Sequence, residues 1–208
     1  MKNRLKNRLL VLVVLTYGLN AKAQFPVQVM TQLVAPYSLK LTDYYLSSTP
    51  KLYVTLTNRD FTNPNLSVKL NLKIVGNNVE IKSNPNAVYT PIELIAGVPQ
   101  RMYSVDISQY FDLNNLLFSG LTKEQYLTTG KLPEGLYYFC FSVYDANTNE
   151  LLSAREQCAV AWISLGDPPI LNLPQNNSEV SAREPTNIVF NWSPRHLNSP
   201  NAASNTEY

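Results

Sequence analysis

The nine residues LSVKLNLKI (66–74) decide the fold. Leu66, Val68, Leu70, Leu72 and Ile74 alternate with Ser67, Lys69, Asn71 and Lys73. A period of two predicts an antiparallel strand with one buried and one wet face, because a helix would space its apolar residues three and four apart. Residues 51–57 repeat the pattern through Leu52, Val54 and Leu56, and residues 27–33 do so less cleanly. Asn58-Arg59-Asp60 and Asn63-Pro64-Asn65 between them carry turn chemistry. Gly76-Asn77-Asn78 reads as a hairpin tip that returns through Val79 and Ile81.

Working outward, residues 88–95, 101–107, 136–144 and 154–165 are further strand candidates. Two stretches break the alternation. Residues 108–118 space Tyr110, Phe111, Leu113, Leu116 and Leu117 as a short helix would, with Ser108 as its cap. Thr122-Lys123-Glu124-Gln125 starts a second short helix that ends near Gly130. Short strands separated by turns, with one or two helical crossovers, predict an all-β fold. The expected form is an antiparallel β-sandwich of fibronectin type III/immunoglobulin-like type.

The N-terminus has a different texture. Lys2, Arg4, Lys6 and Arg8 precede the apolar run LLVLVVLTYGL (9–19), and Ala21-Lys22-Ala23 supplies small residues before Gln24. That plan predicts a secretory signal peptide over residues 1–23. The run is too short for a permanent span, which needs about 20 residues. Five of the 17 Lys and Arg lie in this segment and none of the 15 Asp and Glu, which leaves 12 basic against 15 acidic residues, a net of about −3. The precursor's pI of 8.4 therefore misleads. No basic stripe remains to neutralise phosphates or to hold an anionic membrane, so nucleic acid is not an expected partner. No second apolar stretch is long enough to span a bilayer.

Residues 24–166 are expected to form the sandwich. Gly166-Asp167-Pro168-Pro169 is stiff, since consecutive prolines fix φ and remove donors, and residues 167–174 read as a Pro-rich linker. Residues 175–208 then open a second fibronectin type III-like domain whose strand carries Trp192. Those 34 residues fall far short of the ~100 of a seven-strand sandwich. The second domain is expected to be incomplete and the chain to be the front of something longer.

Catalytic chemistry finds little here. His196 is the single histidine and reads as a solvated loop residue. Asp43, Asp60, Asp106, Asp112 and Asp145 are scattered among different elements, and there is no Gly-rich phosphate loop, no GxSxG and no HExxH. Asp145, Asn147 and Asn149 resemble the first half of an EF-hand loop, but its sixth position is Glu150 rather than Gly and its flanks read as strands. A polar hairpin tip explains the same residues. No catalytic residue, metal or cofactor is implied.

Cys140 and Cys158 are the only cysteines, and in an exported chain an even pair predicts a disulfide. Setting them opposite each other pairs Asp145 with Ser153 and leaves the loop 146–152. Cys140 would then point away from the apolar face made by Tyr137, Phe139, Phe141 and Val143. Two unpaired thiols are the alternative. Among the aromatics, Trp162, Trp192 and Tyr137-Tyr138 read as sandwich core. Tyr44 and Tyr45, placed in a loop before Pro50, are the candidate ligand-binding pair.

KLPEGLYYFCFSVYD (131–145), CAVAWISLGDPPILNLPQNNSEV (158–180) and NIVFNWSPRHLNSPNAASNTEY (187–208) resemble large secreted proteins of Bacteroidetes with fibronectin type III-like and TANFOR-type domains. The resemblance implies a multidomain protein exported to the periplasm, outer-membrane surface or extracellular space. Its link to gliding or type IX secretion is loose, and the C-terminal sorting domain expected of a type IX cargo is not seen. The expected function is a non-catalytic scaffold or interaction module whose partners are other envelope proteins or downstream domains, reached in part by strand addition at an open sheet edge. The alternatives are a surface glycan-binding module using Tyr44 and Tyr45, and an accessory domain of a secreted hydrolase.

Overall fold

The computed structural model describes residues 25–164, 170–175, 177–179 and 188–193. The proposed signal peptide (1–23), Pro168-Pro169 and His196 lie outside them.

Alternating sequence becomes alternating burial. β1 (Val27–Leu33) and β2 (Leu52–Asn58) pair antiparallel, and β2 buries Leu52, Val54 and Leu56. β3 (Asn65–Gly76) buries every apolar residue of 66–74 and leaves the residues between them half exposed. Asn77 and Asn78, at φ 46° and 60°, turn the chain into β4 (Val79–Ser83). Two left-handed residues are what a tight hairpin needs, and asparagine tolerates that region best after glycine. β5 (Ile92–Ile95) and β6 (Pro99–Met102) follow, then α1 (Val105–Ser108), β7 (Leu116–Ser119), α2 (Lys123–Thr129), β8 (Gly135–Asp145) and β9 (Gln157–Ile163).

Two antiparallel sheets result. One has the order β1-β2-β6. The other runs β7-β4-β3-β8-β9, with β5 also paired to β3. The chain changes sheets at Ala96–Val98, where Gly97 takes φ +76° between β5 and β6. Leu52, Val54 and Leu56 of the first sheet join Leu70, Leu72, Ile74, Phe139, Phe141 and Val143 of the second in one buried cluster. Each such side chain contributes about 1.5–3 kcal/mol when taken fully out of water. This is the sandwich the alternation predicts.

A seam closes one side. Val27 N donates to Leu152 O at 2.9 Å, and Thr31 Oγ1 donates to Gln157 O at 2.7 Å. Both contacts advance along β1 and along residues 152–157 in the same sense. One end is capped by the β1–β2 loop, where Leu41 N donates to the Tyr126 hydroxyl of α2 and Leu132 N donates to Leu39 O.

The helical expectations divide. α2 forms where Thr122 predicts it: Thr122 Oγ1 accepts from Gln125 N, Gln125 Oε1 accepts from Thr122 N, and Gly130 ends the helix at φ 64°. The helix expected over 108–118 does not form. α1 stops at Ser108, a 3-10 turn occupies Leu113–Asn115, and Leu116 and Phe118 pair with Ser83 and Ile81 of β4. The edge of β4 needs backbone partners, and that demand overrides a local spacing that suits either structure. The strand expected over 101–107 ends at Met102, and that over 88–95 begins only at Ile92. Gly120 has a packing reason: a Cβ there would lie 1.8 Å from Asn78 O.

Further on, β10 (Ile170–Leu173) pairs with β11 (Asn191–Ser193) through Ile170↔Ser193 and Leu171↔Trp192. Residues 167–174 were expected to be linker. Within that span, the short apolar run ILNL also reads as an opening strand, and it forms one. Ile170, Leu171, Leu173 and Trp192 are all exposed.

Candidate interaction surface

The face of the six-stranded sheet turned away from the core holds the chemistry. Cys140 and Cys158 stand opposite each other on β8 and β9 and form a disulfide. Beyond it the expected register fails. Asp145 does not meet Ser153; instead Tyr144 bridges Leu151, and Asp145 N donates to Glu150 O, which leaves the four-residue tip 146–149. Leu152 N still donates to Val143 O at 2.8 Å, but Ser153–Glu156 bulge out of the pairing, and the cause is burial. Leu152 enters the core, its carbonyl binds β1, and the fully buried Ser153 hydroxyl accepts from Val143 N at 2.8 Å and donates to Ala154 O. Glu156 closes the bulge at φ 53°, with its amide donating to Ser142 Oγ.

The disulfide fixes which residues share its face. Leu136 lies opposite Trp162, and Tyr138 opposite Val160. All four are exposed, Tyr138 by 43% and Trp162 by 54%. Trp162 and Tyr138, expected in the core, are therefore on the surface; Tyr137, whose phenol burial pushes up to about 12, is inside. β9 is apolar on both faces, so its composition could not say which side is buried. Parity could have: if Cys140 faces away from the core and Cys158 lies opposite it, then Val160 and Trp162 face away too. Trp192, also expected in the core, is exposed on β11.

Next to the disulfide lies a small ion cluster. Lys73 Nζ is 2.8 Å from Glu156 and 3.9 Å from Glu80, and Lys82 Nζ is 3.1 Å from Glu80. The hydrogen bond to Glu156 is the main cause of the raised Lys73 pKa. Such exposed pairs contribute at most about 1 kcal/mol each. They set a charged border beside the aromatic patch.

The candidate pair Tyr44 and Tyr45 is not a surface platform. Tyr44 ends a 3-10 turn, is 1% exposed, and packs on Phe139 with centroids 4.8 Å apart. Its hydroxyl donates to Ser38 O and accepts from Ser38 N, and burial raises its pKa. No ring face is left for a sugar. Tyr45 is half buried and stacks on Phe111 at 5.6 Å, with its pKa raised by burial and then by Asp112. The groove beside it has its polar groups engaged: Lys123 donates to Asn114 Oδ1, Asp112 accepts from Asn114 N, and Gln109 bonds Thr90 through both ends of its amide.

At the 146–149 tip, Asp145 Oδ1 accepts from Asn147 N and Thr148 N, both at 2.8 Å. These backbone bonds hold its pKa below the usual carboxylate value. This is an Asx turn, and it accounts for the EF-hand-like spacing. Among the described residues, no three metal-ligating side chains cluster, and no helix is long and apolar enough to cross a membrane. At the ends of the two sheets away from the β1–β9 side, β6 and β7 have four residues each, and Pro99 begins β6. Edges this short blunt strand addition.

No protein family, curated protein or solved structure gives a significant match to the chain.

Proposed function

We propose that this chain is a non-catalytic, extracytoplasmic β-sandwich module that docks other cell-envelope proteins through the outer face of β8 and β9. The observation that carries this is the exposed group Leu136, Tyr138, Val160 and Trp162 on two strands locked by Cys140–Cys158. Contiguous apolar surface of this kind marks interaction sites, and Trp and Tyr are the residues that dominate binding energy at protein interfaces. A stapled strand pair holds them in place before binding, which lowers the ordering cost of association. Export is supported by the disulfide, by the basic-then-apolar N-terminus, and by the resemblance of residues 131–145 and 158–180 to secreted Bacteroidetes proteins. The exposed apolar residues of β10 and β11 are a second surface suited to a neighbouring domain.

The test is photocrosslinking in intact cells from a probe at position 162, against a control at Met30 on the other sheet, which is also exposed. A discrete envelope partner captured from 162 and not from 30 supports the reading. The same products from both positions, or none from 162, defeat it.

A further inference from the structure

β3 is flanked on one side by two strands in succession. β5 pairs with Asn65–Val68 and β4 with Lys73–Gly76. Between them, residues 69–72 have no strand on that side among the described residues, because the chain leaves the sheet after Ser83 and returns only at Ile92. Hydroxyls fill the missing ladder: Leu70 N donates to the Tyr110 hydroxyl at 3.3 Å and Leu72 N to Ser83 Oγ at 2.9 Å. Above this gap is a cavity of about 280 Å³, lined by Lys69, Asn71, Asn84, Tyr89, Tyr144 and Asn149 among others.

The Ser83 hydroxyl is taken by Leu72 N and the Tyr89 hydroxyl donates to Asn115 O at 3.3 Å, but the other polar side chains of the lining are free for a ligand. The side chains of Lys69, Asn71, Tyr144 and Asn149 make no hydrogen bond or ion pair among the described residues, and Asn84 uses only Oδ1, which accepts from Asn86 N. The Tyr144 ring meets no other ring among the described residues. The Tyr45 groove differs in that its amides and charges are engaged with one another. Polar groups that converge on a concavity without being engaged with one another mark a binding site more strongly than volume does. Carboxamides both donate and accept, as hydroxyl recognition requires. A flat phenol gives an apolar face on which the C–H side of a sugar ring packs. Among the described residues, Lys69 is the one charge in the lining and no carboxylate there opposes it. The volume lies at the lower edge of the ~300–1,000 Å³ range of small-molecule sites, which suits one or two rings.

We infer that this pocket binds a saccharide bearing a carboxylate, of uronic-acid type. Lys69 takes the carboxylate, Asn71, Asn84 and Asn149 read hydroxyls, and Tyr144 supports the ring. The site is separate from the Trp162 face and does not depend on it.

The test follows backbone amides by NMR on the isotope-labelled chain during titration with sodium galacturonate and glucuronate. Galactose and glucose serve as neutral counterparts, and acetate and inorganic phosphate as plain anions. The expected result is saturable shifts at residues 69–71, 84, 144 and 149 with at least one uronate, with affinity lower by about tenfold or more for its neutral counterpart, as loss of a charge-assisted hydrogen bond entails. Asn71→Ala and Lys69→Gln should each weaken binding by about the same factor, and Trp162→Ala should leave it unchanged. Absence of saturable shifts with both uronates overturns the inference. So does an equal response to the neutral sugars, to acetate or to phosphate, or binding that survives Asn71→Ala in a folded protein.

Discussion

Along β8, Tyr137, Phe139, Phe141 and Val143 face inward and are buried, while Leu136, Tyr138, Cys140, Ser142 and Tyr144 alternate with them on the outside. The inward row is uniform: every member is large and apolar and touches the common core. The outward row changes character with each step, from an apolar pair through sulfur and hydroxyl to a phenol beside a polar pocket. Uniformity on one side and variety on the other separate two tasks. The inner residues hold the sheets together; of the outer ones, Leu136, Tyr138 and Tyr144 reach solvent, while Cys140 and Ser142 are covered by the chain itself. The disulfide is the exception, an outer pair whose effect is on stability.

The difference can be tested from its largest expected effect downward. Phe139→Ala should cost about 3–5 kcal/mol in urea unfolding, whereas its neighbour Tyr138→Ala should cost less than about 0.5 kcal/mol; equal costs would end the distinction between faces. Replacing both cysteines with serine should lower stability by about 3 kcal/mol, read as a shift in the urea midpoint that added reductant reproduces in the native chain. Ser153→Ala strands the buried Val143 N–H and should cost about 1–3 kcal/mol, a check that the bulge is a structural necessity and not slack. Trp162→Ala should leave stability within about 0.5 kcal/mol. Iodide should quench indole emission in the folded protein nearly as well as in urea, and blue-shifted, protected emission would put a tryptophan back in the core.

The smallest effect concerns pH. The Asp145 carboxyl is held below its ordinary value by Thr148 N and then by Asn147 N. Its contribution is therefore complete above the unfolded carboxylate pKa of ~3.9 and is lost as pH falls through the lower folded value. Protection of the Asn147 and Thr148 amides from exchange should drop in that window. Asp145→Asn should remove the pH dependence.

What could be read beforehand follows from what each residue answers to. Leu66 to Ile74 alternate cleanly because one face meets oil and the other water, and β3 forms as expected. Thr122 and Gly130 announce α2 because capping is local chemistry. Leu116–Ser119 misleads, since its spacing suits a helix as well as a strand and only the unpaired edge of β4 decides. The Cys140–Cys158 pairing was legible from count and distance along the chain, yet the slip beyond it was not. That slip depends on where Leu152 and Ser153 find room in a core built from distant strands. The gap beside β3 was equally hidden, because it exists only where β4 and β5 fail to meet.

The seam between β1 and the segment leading into β9 has a mechanical consequence. Its contacts, Val27 to Leu152 and Thr31 to Gln157, advance in the same direction along both segments. Tension entering near Phe25 and leaving past Ile163 would pull these segments oppositely along their own length. The seam would bear that load in shear, with its contacts strained together, whereas a hairpin pulled at its open end peels one bond at a time.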